Sequence, residues 1–156
     1  MTQSPRPDQP PALYVVPSPP AAPPGPACRA CGARPAIAAT ARAHRGLVIV
    51  MQFRSIEGPF CRDCGISVVR RLSEQTLWQG WWSPVSLFVA PVVLGLNLVL
   101  RIRFDRLPAP VRAAGAALPM DPGRPLFLRP AILGILVPIA LVVAVAIAVV
   151  DAAAGR

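Results

Sequence analysis

Cysteine is the residue type in this sequence whose spacing points most clearly to a chemistry. The chain has four cysteines, arranged as two C-x-x-C-G turns at residues 28–32 and 61–65. Each turn, or knuckle, can place two thiolates on one ion, and two knuckles complete the tetrahedral set of four that a structural zinc site uses. The sequence therefore predicts a metal site with zinc as its cofactor, and its ligands are Cys28, Cys31, Cys61 and Cys64.

Two other chemistries fit the same spacing. Iron in a rubredoxin-like site also takes four thiolates, and geometry alone does not separate it from zinc. The sequence lacks the aromatic residue after the first pair and the proline inside the second pair that are typical of such iron sites. Disulfides or a redox-active C-x-x-C are the remaining option, but a redox pair begins a helix after a strand–helix unit, and no such unit precedes Cys28. Zinc is thus the favoured metal.

The 29 residues between the two cysteine pairs, residues 32–60, predict a β-hairpin. From residue 47 to residue 54 apolar side chains recur at every second position, which is typical of a strand with one buried face. Residues 36–42 form a weaker partner strand, and residues 43–46 form a turn that places the only histidine, His44, in solvent. The glycine after each pair is expected to leave its knuckle with a positive φ. Residues 28–65 are therefore predicted to fold as a small α+β zinc ribbon, with the hairpin between two cysteine knuckles and a short helix after it.

The composition predicts a membrane protein, because 54% of the residues are hydrophobic and only 15% are charged. Residues 81–100 and 130–150 carry no charge and are long enough to cross a bilayer as helices. The arginine- and proline-rich residues 101–129 form the loop that joins them into a two-helix transmembrane hairpin. Residues 1–27 hold ten of the 21 prolines and are predicted to be a disordered tail, and residues 151–156 form the C-terminal tail.

The segment before the first predicted span has the features of a membrane interface. Residues 66–80 show helical periodicity and are predicted to form an amphipathic interfacial helix. Tryptophans at the edge of an apolar span are typical of an interfacial belt, and arginines there can contact lipid headgroups. A core cluster in the ribbon would also explain the tryptophans. The predicted membrane-interface residues are Arg70, Arg71, Trp78, Trp81 and Trp82.

Asn97 is the one strongly polar residue inside the first predicted span. An amide at that depth is expected to hydrogen-bond to the second span or to line a path through the membrane, and the first interpretation is favoured. Asn97 is therefore predicted to be an intramembrane polar residue.

Two rules disagree about the orientation in the membrane. The loop at residues 101–129 holds six of the sixteen arginines, which favours a cytoplasmic loop. Against this, export of the basic N-terminal region without a signal peptide is difficult, and reduced thiols suit the cytoplasm. We therefore expect a multi-pass protein of the inner membrane, with both termini and the metal-binding head in the cytoplasm.

Two motifs are similar to those of a known group of proteins. Residues 58–65 read G-P-F-C-R-D-C-G, and residues 76–82 read T-L-W-Q-G-W-W. In these motifs the chain resembles small uncharacterised membrane proteins of high-GC, actinobacterial-type genomes, and the similarity extends over residues 28–140. The resemblance implies a bacterial inner-membrane protein in which the four cysteines are the metal-ligand positions.

The sequence shows no Ser/His/Asp set, no phosphate-binding glycine loop and no paired carboxylates. A closed shell of four cysteines also leaves zinc no open position for a water molecule. We therefore expect a non-catalytic, membrane-anchored zinc protein that acts as an interaction or adaptor module. Its expected partners are the lipid bilayer and an unknown protein, with homo-oligomerisation as an option.

Two alternative functions stay open. All sixteen basic residues are arginine, so a membrane-tethered nucleic-acid-binding regulator is one alternative, although it is not favoured. A small membrane-active toxin component is the other, because proline-kinked spans with one asparagine are compatible with an oligomeric pore.

Overall fold

The computed structural model of the protein describes residues 23–47 and 50–155. Residues 1–22, which form most of the predicted disordered tail, lie outside the described residues. Two 3₁₀ segments, Leu126–Leu128 and Pro130–Ile135, precede the last helix. The remaining elements are β1 (Ile37–Gly46), β2 (Met51–Phe60), α1 (Arg62–Gln79), α2 (Ser86–Asp105) and α3 (Leu136–Ala153).

The two strands form a two-stranded antiparallel sheet. Ile37 lies opposite Phe60 and Gly46 lies opposite Met51, so each strand is longer than the sequence predicted and the turn falls after residue 46. Pro59 lies inside β2. A proline is tolerated there because its nitrogen points away from β1, so no hydrogen bond of the ladder is lost.

The free edge of β1 is covered by side chains from two helices. The backbone N–H of Arg42 donates to Oδ1 of Asn97 (3.1 Å), and Nδ2 of Asn97 donates to the carbonyl of Arg42 (2.7 Å). The backbone N–H of His44 donates to Oγ1 of Thr76 (3.1 Å). Because these groups take the place of a third strand, the edge of β1 is satisfied against α1 and α2 and is closed to other chains.

Helices α1 and α2 lie antiparallel to each other beside β1. The ring of Phe104, near the end of α2, lies against Gly65, near the start of α1. Further along the pair, Asn97 donates to Oγ of Ser73 (3.1 Å). The 18 residues of α1 and the 20 residues of α2 make these helices about 27 and 30 Å long. These elements and the segment from residue 106 to residue 135 form the head of the protein.

The head has two hydrophobic clusters at opposite ends of α1. One contains the four cysteines together with Phe60, Leu72 and Phe104, and we call this the cysteine end. The other contains Leu77, Trp81, Ala90 and Ala131, and we call this the tryptophan end. Helix α1 is therefore a core element of the head.

Two helices are long and apolar enough to cross a membrane: α2, and the 24-residue stretch Pro130–Ala153 that includes α3. They differ in their surroundings. Helix α2 packs against α1 and β1 along one face, whereas α3 contains no buried residue and meets the chain through the 3₁₀ segment before it. This arrangement differs from a transmembrane hairpin in which the two helices pack against each other.

Candidate metal centre

The structure brings the four predicted ligands together. The Sγ atoms of Cys28, Cys31, Cys61 and Cys64 all lie within 4.8 Å of one another, and all four residues are buried. The Sγ atoms of Cys31 and Cys61 are 3.6 Å apart. All four are free thiols, and this separation is far longer than a disulfide bond of about 2.05 Å.

The first pair of cysteines is held by a knuckle. The N–H of Gly32 donates to the carbonyl of Cys28 (2.8 Å), and the N–H of Cys28 donates to the carbonyl of Ala33 (2.9 Å). Gly32 has a φ of +71°, the left-handed conformation that the sequence predicted for it. A residue with a Cβ would be strained at this position, so glycine is required for the chain to leave the first cysteine pair.

The second pair of cysteines is not a knuckle, which corrects the sequence prediction. Cys61 is the N-cap residue of α1, and Cys64 lies in the first turn of that helix. Gly65 follows in regular helical conformation, where its N–H donates to the carbonyl of Cys61 (2.8 Å). The helix therefore begins four residues earlier than predicted, and its N-terminal dipole favours thiolates at this end.

Glycine is required at position 65 for a different physical reason than at position 32. A Cβ at Gly65 would overlap the ring of Phe104, which is almost fully buried. Glycine is needed because α2 approaches the start of α1 so closely. The aromatic ring then lies in the cluster at the cysteine end. This contact could not be predicted from the sequence, because the two residues are far apart along the chain.

The four thiols have different tendencies to ionise. Burial raises the pKa of Cys28, but the N–H groups of Cys61, Cys31 and Ala30 outweigh it and lower the pKa to about 7. Burial is the main cause that raises the pKa of Cys61 to about 11 and raises that of Cys64 further still. The thiolate of Cys28 is therefore favoured near neutral pH, whereas Cys61 and Cys64 lose their protons when a cation offsets the repulsion between sulfurs.

The arrangement of sulfurs fits a tetrahedral metal ion. A Zn–S bond of about 2.3 Å implies sulfur atoms about 3.8 Å apart, close to the 3.6 Å between Cys31 and Cys61. The four cysteines would hold the ion as a closed thiolate shell. Zinc bound there would cross-link the knuckle to the first turn of α1.

The chain after α2 returns to the metal centre, a feature that the sequence did not predict. The backbone N–H of Met120 donates to Sγ of Cys64 (3.2 Å). Arg34 and Val111 exchange two backbone hydrogen bonds of 2.9 and 2.8 Å. Residues 101–129 were expected to be a separate loop. In the structure residues 101–105 belong to α2, and residues 106–129 lie along the head and supply a hydrogen bond to the sulfur of Cys64.

Arg70 holds the same returning segment. Its Nη1 donates to the carbonyls of Pro122 (3.1 Å) and Gly123 (2.7 Å). Burial, together with the nearby Arg101 and Arg129, lowers the pKa of Arg70 from its usual value. The structure thus gives Arg70 a positioning contact inside the head, while Arg71 is exposed.

The predicted interfacial tryptophans differ in burial. Trp81 is buried at the tryptophan end, where its Nε1 donates to the carbonyl of Leu77 (2.8 Å). Trp78 and Trp82 are exposed by more than half, and Nε1 of Trp82 donates to the carbonyl of Trp78 (3.3 Å). Only two of the three indoles therefore have a free surface, and a lipid contact for these two stays a prediction.

Asn97 has partners that the sequence did not predict. It is 1% exposed, and its amide bonds to Arg42 and Ser73 in the head and not to the second apolar helix. The residue serves as an edge cap for β1. In the sequence this amide looks like a polar group within a span, because the residues that it contacts lie in distant segments.

His44 lies inside strand β1 and is fully buried, so its expected exposure in a turn is wrong. Its Nε2 and Oγ of Ser86 are 2.9 Å apart, and its ring lies 4.9 Å from that of Phe53. Its Nδ1 has no hydrogen-bond partner among the described residues. Burial lowers the pKa of His44, so the neutral ring is favoured.

The fold and the site define a small head in which a knuckle and a helix N-terminus bring together four cysteines that could hold a metal ion. This head continues into an apolar helix of membrane-spanning length. Comparison of the chain with protein-family models, with curated proteins and with solved structures finds no match. The geometry and chemistry of the chain itself therefore carry the functional proposal.

Proposed function

We propose that the protein is a membrane-anchored zinc protein whose head is a non-catalytic interaction module. The observation that carries this proposal is the closed cluster of four buried cysteine thiols. Catalytic zinc keeps one coordination position open for water or substrate, whereas four thiolates from the protein fill the shell. A metal ion held in this way stabilises the head and does not act on a substrate.

The position of the cysteines supports a structural function for the metal. The knuckle and the start of α1 are separated in sequence by the whole hairpin, so the ion closes a long loop of the chain. The hydrophobic cluster around the cysteines is small, and metal binding can supply much of the folding free energy of such a domain. We propose zinc over iron, because four-thiolate shells in small folded modules are typical structural zinc sites.

The hairpin supports an interaction function, because only one of its edges is closed. The register directs the backbone N–H and C=O groups of Phe53 and Ser55 away from β1. The carbonyl of Glu57 has the same direction and accepts a hydrogen bond from Arg29. On the side away from β1, the segment from Met51 to Ser55 has no strand beside it among the described residues. An extended segment of a partner protein can add to such an edge.

The membrane anchor is proposed to be the apolar stretch Pro130–Ala153. It has 24 residues. Within its most apolar window of 18 residues, only 6% of the residues are buried within the chain. An exposed apolar surface of this size is not stable in water, and the length is sufficient to cross a bilayer. We propose that the protein is embedded in the cell membrane through this helix.

Metal analysis of the purified protein tests the proposed zinc site. Full-length protein purified from membranes under reducing conditions should be colourless and contain about one zinc ion per chain. Cys61→Ser should lose the metal and the resistance of the head to proteolysis. A visible thiolate-to-iron absorption band would overturn the zinc assignment, and a metal-free wild-type protein would overturn the site.

The interaction function has its own pair of variants. Ser55→Pro removes an N–H that points outward from β2, so it should keep the metal but block strand addition. Ser55→Ala keeps that N–H and serves as the matched control. Proteins that co-purify with the wild type and the control, but not with Ser55→Pro or Cys61→Ser, are the expected result. If Cys61→Ser retained the same partners as the wild type, the head would not be the interaction module.

A further inference from the structure

Helix α2 buries two polar residues among apolar ones, and its exposed side is apolar as far as the last turn, where Arg103 and Asp105 are exposed. Ser86 and Asn97 are buried against the head. Four apolar residues share an exposed face on another side of the helix, and we call them the outward stripe: Phe88, Val92, Leu96 and Val99. Phe88 is 79% exposed. A helix of a head fully surrounded by water would show the opposite pattern, so the outward stripe requires an apolar environment.

Although its length and composition suit a span, α2 cannot cross the bilayer while it is packed as observed. Asn97 near its middle bonds to Ser73 of α1, and the next residue of α1, Glu74, forms an ion pair with Arg129 (2.5 Å). If α2 spanned the membrane, this ion pair would lie near the centre of the bilayer. Each charged side chain there costs about 2.5–3.5 kcal/mol even on the lowest scales.

The segment that follows α2 leads to the same conclusion. Residues 106–129 contact the head at Val111, Met120 and Pro122, whose partners are Arg34, Cys64 and Arg70. This segment begins at the cysteine end and reaches the tryptophan end, where Gly134 lies against the backbone of Leu77. Helix α3 therefore starts at the end of the head where α2 also starts. In a transmembrane hairpin the second span would start at the end where the first one finishes.

The outward stripe continues into a groove with basic walls. A groove of about 670 Å³ lies between β1 and α2. Its lining includes apolar Leu96 and Val99, basic Arg42 and Arg103, and acidic Glu57. Neither Arg42 nor Arg103 forms an ion pair within the described part of the chain. Apolar side chains beside free guanidinium groups match the boundary between acyl chains and anionic headgroups.

We infer that α3 alone crosses the bilayer and that α2 lies in the membrane interface, with its outward stripe in the lipid of one leaflet. The surface that binds lipid is the outward stripe, and Arg42 and Arg103 contact anionic phospholipid headgroups beside it. The head and residues 106–129 are then on one side of the membrane, and the C-terminus is on the other side. This inference rests on the membrane anchoring proposed above, and it replaces the two-span arrangement expected from the sequence.

Epitope mapping in native membranes tests the topology. A short epitope is placed in three separate full-length proteins: at the N-terminus, between Gly115 and Ala116, or after the C-terminus. Gly115 lies in an exposed turn with open space around it, so an insertion there should be tolerated. Protease protection is then compared in sealed membrane vesicles of both orientations.

The N-terminal and internal epitopes should be cleaved in the same vesicles, and the C-terminal epitope should be cleaved in the opposite ones. Opposite accessibility of the N-terminal and internal epitopes would show that α2 crosses and would overturn the inference. The same accessibility for all three epitopes would overturn it as well, because α3 would not cross. A protein that leaves the membrane in an alkaline wash would instead defeat the proposed membrane anchor, so the two failures are distinguishable.

Lipid contact is tested with a photoactivated carbene reagent that dissolves in the bilayer. The full-length protein is reconstituted in vesicles of phosphatidylcholine with about one quarter phosphatidylglycerol, a level at which anionic headgroups attract basic residues. Peptides of α2 and α3 should both be labelled, and the double variant Phe88→Gln, Val92→Gln should lose label in α2 only. Labelled α3 with unlabelled α2 in the wild type would overturn the inference, because a second copy or another protein would then cover the stripe.

Discussion

Replacement of Asn97 by leucine distinguishes an edge cap from a polar group within the membrane. The substitution keeps the approximate size of the side chain and removes three hydrogen bonds, two with the backbone of Arg42 and one with Ser73. A buried polar group that loses its partner costs about 1–3 kcal/mol. Arg42 is exposed, so its backbone groups can bind water instead. We therefore expect Asn97→Leu to lower the free energy of unfolding of the head by about 2–4 kcal/mol.

The measurement is urea unfolding of the metal-loaded, full-length protein in mild detergent, followed by tryptophan fluorescence. Trp81 is buried beside α2 and reports on the separation of the helices. Leu98→Ala is the matched control, because Leu98 is the next residue of α2 and is 56% exposed. The control should change the unfolding free energy by no more than about 0.5 kcal/mol.

A double-mutant cycle sharpens the prediction. Ser73→Ala removes the hydroxyl that Asn97→Leu would leave without its partner, so the two changes together should cost less than the sum of the single changes. The reasoning would be refuted by an Asn97→Leu protein as stable as the wild type or more stable. That result is expected for an asparagine that faces lipid, since leucine is the more favourable residue there.

Two further predictions concern His44 and Gly65. The pKa of buried His44 lies below the unfolded value of 6.5, so the unfolded chain binds the proton more readily and the head should lose stability as the pH falls below about 6.5. Unfolding of His44→Gln between pH 7.5 and 5.5 should lack this part of the pH dependence, and equal slopes for both proteins would contradict the assignment. Gly65→Ala should destabilise the head by roughly 1–3 kcal/mol through overlap with Phe104. The control Gly95→Ala, in open space on α2, should be neutral or stabilising, and similar effects at both glycines would exclude the Phe104 contact as the cause.

The cysteine cluster could be predicted from the sequence because ligand spacing is a local property. Two C-x-x-C turns bring two sulfurs together without reference to the rest of the fold, and the structure confirms that all four lie together. The conformation of each turn is a different matter. The same five-residue pattern forms a knuckle at Gly32, where φ is positive, and a helix start at Gly65, where the ring of Phe104 approaches the backbone.

The packing of α2 could not be predicted, because its sequence is apolar on nearly all sides. The buried face of a helix can be recognised in a sequence only when the opposite face is polar. In α2 the outward stripe is apolar as well, so the buried face does not stand out. The alternating pattern of residues 47–54 also predicted the wrong buried face. Phe53 was expected on a buried face, but it is 65% exposed, and β1 is the strand whose residues enter the core.

The metal centre and the apolar helix belong to one hydrophobic core. Leu100 and Phe104 of α2 lie in the same buried cluster as the four cysteines, and Met120 beyond the helix bonds to a ligand sulfur. The predicted boundaries at residue 65, where the zinc ribbon ends, and at residue 80, where the first span begins, would cut through this core. A metal ion at the four cysteines would fix the start of α1, and α1 holds α2 through Gly65 and Ser73, so metal binding would also stabilise the helix that we place at the lipid surface. The metal-binding head and its membrane-contacting surface are therefore expected to fold together.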